Sequence, residues 1–236
     1  MISPSSSSSP NTTITNWTHV GLLALPISGV LTAWATLTPQ PNPSTDFEAW
    51  SGFVTTTYYL VSHLLGTMLG IILLIFGVFA LGAYFTKGGR SVRLGLVAMV
   101  ITIVANTLGL VITGWSSFAA PAIGRAYLAG MEEAMRIDVG TDFIVIFMIT
   151  IALGFVGNVL LGIAIWRSKT LPKWAGAIWI AWAVLFYMAG ILYGFLFTGS
   201  SPPTQPVGSL LMAISGAWIV WTALRQPPPA LQQQDA

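Results

Sequence analysis

Long apolar runs separated by short polar stretches dominate this chain: Trp17–Leu37, Val54–Phe85, Val92–Phe118, Phe143–Trp166, Trp174–Thr198 and Val207–Leu224. Each approaches or exceeds the roughly 20 helical residues needed to cross a hydrocarbon core of about 30 Å. None shows the sustained period-2 alternation of a barrel strand. Because lipid offers backbone groups no partners, such runs close their hydrogen bonds within the segment and form helices. The pattern predicts an all-α, polytopic membrane helical bundle with six transmembrane helices. The connections leave no room for a separate soluble domain. A transmembrane domain over 17–225 is therefore expected between two disordered tails, a Ser/Thr/Pro-rich one over 1–16 and a Pro/Gln-rich one over 226–236. The first tail has neither the basic start nor the small-residue cleavage site of a secretory signal.

Charge sets the expected orientation. Lys87, Arg90 and Arg93 flank the turn between segments two and three, and Arg167, Lys169 and Lys173 that between segments four and five. Basic turns stay in the cytoplasm. Arg225 falls on the same side, whereas the opposite connections carry only Arg125 and Arg136 beside Glu132, Glu133 and Asp138. The prediction is N-in and C-in, in an inner (plasma) membrane. The sequons at Asn11 and Asn16 then lie in the cytoplasmic tail, out of reach of glycosylation, and read as chance matches. Trp17, Trp34, Trp50, Trp115, Trp166 and Trp174 fall at or near segment ends, where an amphipathic ring is favoured.

Composition agrees, since only 7% of residues are charged against about 25% in a soluble domain. The surface must be solvated by lipid. A net charge of +2, with dispersed basic residues, builds no face for nucleic acid. The absence of cysteine excludes disulfides, thiolate metal sites and thiol redox chemistry.

Between segments three and four, Ile123, Tyr127, Met131 and Met135 recur at helical spacing, which predicts a short amphipathic helix on the outer surface, with Glu132 paired to Arg136. Pro39, Pro41 and Pro43 predict an extended spacer after segment one, and Pro26 a kink within it.

The polar residues inside the apolar runs are the candidates for chemistry. His63 lies near the outer end of segment two, on a stripe with Thr67, Gly70, Leu74 and Gly77 that faces protein. Asp142 opens segment four at the same level, so the two meet if segments two and four are neighbours. They then form a proton-sensitive or ligand-orienting pair opening outward, with Trp115 beside it. The structural alternative is a helix cap at Asp142 and one interhelical hydrogen bond at His63, and it is favoured because a lone histidine is a weak signal. Segment three carries Thr102, Asn106, Gly109 and Thr113 on one face, and segment four carries Gly154, Asn158 and Gly162. These stripes read first as helix–helix seams and second as the lining of a polar path. Trp179, Trp182, Phe186, Tyr187 and Tyr193 give segment five an aromatic density suited to packing or to a flat, lipid-like ligand.

Catalytic signatures are missing. His19 and His63 lie at opposite ends of their segments and cannot share a haem iron, and there is no zinc-protease or nucleophile-elbow motif. The expectation is a protein with no cofactor and no metal: a non-enzymatic accessory, structural or sensing component, or else a carrier for a small or lipid-like molecule. Its partners are the bilayer and a membrane protein or a second copy of itself.

The turn Ser168-Lys169-Thr170-Leu171-Pro172-Lys173-Trp174-Ala175-Gly176 resembles one found in uncharacterised bacterial multi-pass membrane proteins of the domain-of-unknown-function class. The resemblance covers the hairpin of segments four and five. It implies a compact helical membrane fold and a bacterial source, and no activity.

Overall fold

The computed structural model describes residues 17–86, 91–137, 140–200 and 202–225, and every regular element among them is helical. Six helices are long and apolar enough to cross a membrane. They are α1 (Trp17–Ala35), α3 (Thr57–Phe85), α4 (Val92–Leu128), α5 (Thr141–Arg167), α6 (Lys173–Thr198) and α7 (Thr204–Arg225). A short helix, α2 (Phe47–Val54), precedes α3, and a 3₁₀ helix (Glu132–Arg136) precedes α5. Both proposed tails lie outside the described residues, as do Lys87, Arg90 and Asp138.

Each spanning helix packs against its successor, and α7 returns to α1, closing a ring in the order α1, α3, α4, α5, α6, α7. Neighbours run antiparallel. On α3, Gly77 meets Leu25 and Gly66 meets Ala35; on α5, Gly157 meets Thr102 and Gly162 meets Gly176; on α7, Gly216 meets Leu25 while Ala213 meets Gly29. Small residues dominate these seams because lipid tails are as apolar as leucine, so helices associate through close backbone packing. Hydrogen bonds cross them too, from Ser28 Oγ to the Gly70 carbonyl at 2.7 Å, Tyr59 Oη to the Ser116 carbonyl at 2.9 Å and Ser215 Oγ to the Ala175 carbonyl at 2.8 Å. Bonds of this kind contribute about 0.6 kcal/mol on average.

The antiparallel ring gives the bundle two unlike ends. Arg93, Arg167, Lys169, Lys173 and Arg225 collect at one, where helix α1 begins. Asp46, Glu48, Glu132, Glu133 and Asp142 collect at the other, which carries α2. The basic half is filled: Leu22, Leu81, Leu161, Ile165, Trp179 and Ile219 are all completely buried. At the α2 end, Trp50, Val54, Tyr59 and Ala120 form a separate small core with Phe47, Phe53, Trp115 and Ile123 against it.

Several expectations are corrected at this end. Segment three does not stop at Phe118; α4 continues through Pro121 to Leu128, 37 residues in all and about 55 Å long. Ile123 and Tyr127 belong to it, and among the described residues no separate amphipathic α-helix forms. The extension is held by α2, whose Phe47 ring stands edge-on to Tyr127 with centroids 4.9 Å apart. Met131 and Met135 are exposed. Glu132 and Arg136 lie in the 3₁₀ helix, whose three-residue turn does not stack residues four apart. Residues 39–42 form no helix, and α2 follows the spacer, capped by Asp46, which accepts from the Ala49 amide at 2.9 Å. In α1 the helix is interrupted at Leu23, within the turn that Pro26 deprives of an N–H donor.

Candidate functional site

The ring of helices encloses a chamber. All six spanning helices line it: Ser28 and Thr32 from α1, Thr67, Ile71 and Leu74 from α3, Asn106, Gly109 and Thr113 from α4, Phe147 and Thr150 from α5, Trp182, Phe186 and Tyr187 from α6, Ser209 and Met212 from α7. Its volume is about 250 Å³. A vestibule of about 190 Å³ adjoins it toward the α2 end, bounded by Thr36, Thr38, Gln40, Tyr58, His63, Ser116 and Gln205. Thr32, Thr67, Thr113, Phe186 and Ile191 border both spaces and form the boundary between them. Among the described residues, none of those lining the two spaces carries a formal charge, apart from the titratable ring of His63.

The two spaces differ in chemistry. The deep chamber is walled mainly by aliphatic and aromatic side chains, and most of its hydroxyls are already engaged: Thr150 Oγ1 donates to the Ile146 carbonyl and Ser209 Oγ to the Gln205 carbonyl. At the boundary and in the vestibule, polar groups stand unspent. Among the described residues, the hydroxyls of Thr32, Thr67 and Thr113 and the carboxamide of Gln205 make no hydrogen bond, although Thr113 and Gln205 are buried. In a membrane interior such groups are costly unless a water or a ligand meets them.

His63 borders the vestibule, and its ring lies over that of Tyr59 with centroids 3.9 Å apart. Its Nδ1 is 3.0 Å from the Tyr59 carbonyl oxygen. A carbonyl only accepts, so Nδ1 carries the proton there, and in the neutral ring Nε2 is left as a bare acceptor. The backbone around it is unusual. Ser62–Met68 of α3 is a π-helix, as is Val184–Leu192 of α6, directly across the ring. Such segments are rare and concentrate at functional sites. Here they carry Thr67 on one side and Phe186, Tyr187 and Ile191 on the other.

The proposed partner of His63 is elsewhere. Asp142 is exposed in the first turn of α5, and α3 and α5 are not adjacent in the ring, since α4 stands between them. Gly140 at positive φ occupies the cap position, and Asp142 makes no cap bond. Trp115 packs on Phe143 at 5.3 Å between ring centroids and belongs to the outer core.

The two asparagines separate cleanly. Asn158 is fully buried in the α5–α6 seam; its Nδ2 donates to the Gly154 carbonyl at 2.8 Å and to Tyr187 Oη at 3.4 Å, and its Oδ1 accepts from Trp179 Nε1 at 3.2 Å. Asn106 faces the chamber. Its Nδ2 donates to the Thr102 carbonyl of its own helix at 2.7 Å, and its Oδ1 accepts nothing among the described residues. Gly109, one turn on, is open: a Cβ there would find nothing nearer than Ile71 Cδ1 at 3.9 Å. Thr32, Thr67, Phe147 and Gln205 were not singled out by their own segments as binding residues, because an isolated threonine or phenylalanine in a membrane helix carries no mark of which face it occupies.

No family model, curated protein or solved structure matches this chain.

Proposed function

We propose that this protein is a non-enzymatic receptacle in the bacterial inner membrane, which takes a small, uncharged, largely apolar molecule into its central chamber from the extracytoplasmic side. The orientation is N-in and C-in, because the basic turns mark the cytoplasmic end and the vestibule opens at the other. The observation that carries the reading is the chamber itself: a space of about 250 Å³ lined by all six helices, in a bundle whose other seams are tight enough to demand glycine. A cavity walled by apolar groups with a few placed polar ones is the usual form of a small-molecule site. The packed basic half closes the chamber at that end, which suits a sensing or accessory component. The resemblance of the Ser168–Gly176 turn to bacterial multi-pass proteins fits this setting without narrowing it.

The experiment is saturable binding of radiolabelled decane to the protein in nanodiscs, with empty discs subtracted. Wild type is expected to bind with a stoichiometry near one. Gly109→Phe, which projects a ring into open space, is expected to eliminate that binding while the protein stays folded. Equal retention by both proteins would refute the reading.

One observation favours a carrier instead: the π-helices in two opposite helices are places where a helix can change register. Protein-dependent passage of the probe across liposomes, beyond that of empty vesicles, would favour the carrier.

A further inference from the structure

The chamber and vestibule are not equivalent, and their difference reads as a template for a molecule with two unlike ends. The deep walls of Ile71, Leu74, Ala105, Ile151 and Met212 offer contact only to hydrocarbon. The vestibule and its boundary concentrate the unspent polar groups: the hydroxyls of Thr32, Thr67 and Thr113, the Gln205 carboxamide, and His63 with Nε2 as acceptor. Among the described residues, no lysine, arginine or carboxylate borders either space. A charged head would therefore lose hydration with no opposite charge to pair with.

We infer that the ligand is a neutral single-chain amphiphile, seated with a hydroxyl- or amide-type donor head in the vestibule beside His63 and its chain pointing down to Asn106. This rests on the receptacle reading. The length of the site follows from α4, which borders it from Asn106 to Ser116. That stretch rises about 15 Å at the helical 1.5 Å per residue, close to an extended chain of about ten carbons. The head points outward because Asn106 Oδ1 is a single acceptor at the bottom, whereas the vestibule offers donors and acceptors from five elements.

Decane, decanol and decanoate share a chain and differ in the head, so their binding to the protein in nanodiscs, corrected with empty discs, tests this. The measurement is made at about pH 8, where imidazole is neutral and the carboxylate ionised. Decanol is expected to bind at least about tenfold more tightly than decanoate, because only the latter brings an unpaired charge into the site. His63→Phe keeps an aromatic ring over Tyr59 and removes the acceptor; it is expected to weaken decanol several-fold more than it weakens decane. Asn106→Leu changes only the wall at the chain end and is expected to shift decanol and decane alike. Decanoate binding as tightly as decanol overturns the neutral head, and a loss of decanol affinity beyond that of decane in Asn106→Leu, with none in His63→Phe, overturns its outward placement. If decane too fails to saturate, or Gly109→Phe binds all three like wild type, the chamber reading itself falls.

Discussion

The indole Nε1 of Trp179 donates to Oδ1 of Asn158 at 3.2 Å, with both side chains fully buried between α5 and α6. The amide of Asn158 also reaches the Gly154 carbonyl and Tyr187 Oη, so one side chain ties a seam glycine, a core tryptophan and a chamber-lining tyrosine. Asn106, the same residue type in a neighbouring helix, has only its own Thr102 carbonyl and the chamber. One asparagine is structural and the other is available to a ligand.

That contrast predicts unequal costs. Asn158→Ala leaves the Trp179 N–H unmet in a dry seam and is expected to destabilise the protein by about 1–3 kcal/mol. Asn106→Ala breaks no bond between helices and is expected to cost less than about 1 kcal/mol. Reversible unfolding in mixed detergent micelles compares the two, and equal losses would contradict the assignment.

Glycines divide in the same way. A Cβ on Gly176 would stand 2.5 Å from the Gly162 carbonyl oxygen and 2.6 Å from the Trp166 amide nitrogen, both backbone atoms that cannot yield without moving a helix. Gly176→Ala is expected to cost about 1–3 kcal/mol, as overpacking does in other cores. Gly109→Ala meets open space and is expected to be neutral, or stabilising by up to about 1 kcal/mol, since it removes a helical glycine. Thermal unfolding of both variants checks the pair.

At the α2 end, Asp46 caps a helix of only eight residues. Removing the acceptor of the Ala49 amide in Asp46→Ala is expected to cost about 1 kcal/mol. The loss should be local. Hydrogen exchange at α2 amides should quicken while α5 and α6 keep their protection; uniform acceleration would show that α2 is not a separate cap.

Orientation is open to direct chemistry because the chain has no cysteine of its own. Ser44→Cys, in the exposed connection before α2, and Lys169→Cys, in the exposed turn between α5 and α6, report on opposite ends. A membrane-impermeant maleimide added to intact bacterial cells should label the first and spare the second until the membrane is permeabilised. The reverse pattern would invert the proposed topology and place the vestibule in the cytoplasm.

The spanning helices were legible because hydrocarbon thickness fixes their length, and α5 and α6 begin and end within a few residues of the expected bounds. The end of α4 was not: Phe118 lies where hydropathy falls, but Ile123 and Tyr127 continue the helix because α2 covers them, a tertiary contact with no local signature. Thr67 and Gly70 share a stripe in the sequence, yet Thr67 faces the chamber while Gly70 faces α1. Asn106 and Asn158 were equivalent as residues and separated only when the order of helices around the ring was known. His63 and Asp142 had a shared depth to connect them, and the ring puts α4 between their helices.

The central claim, that the chamber holds an uncharged apolar molecule, is tested most directly by crystals of the protein grown in a lipidic phase with 10-bromodecanol, whose bromine marks the chain end by anomalous scattering. The account predicts a single bromine peak between Asn106, Thr150 and Met212, absent in Gly109→Phe. Bromine confined to the lipid-facing grooves, with the chamber empty or filled by neighbouring side chains, would contradict it.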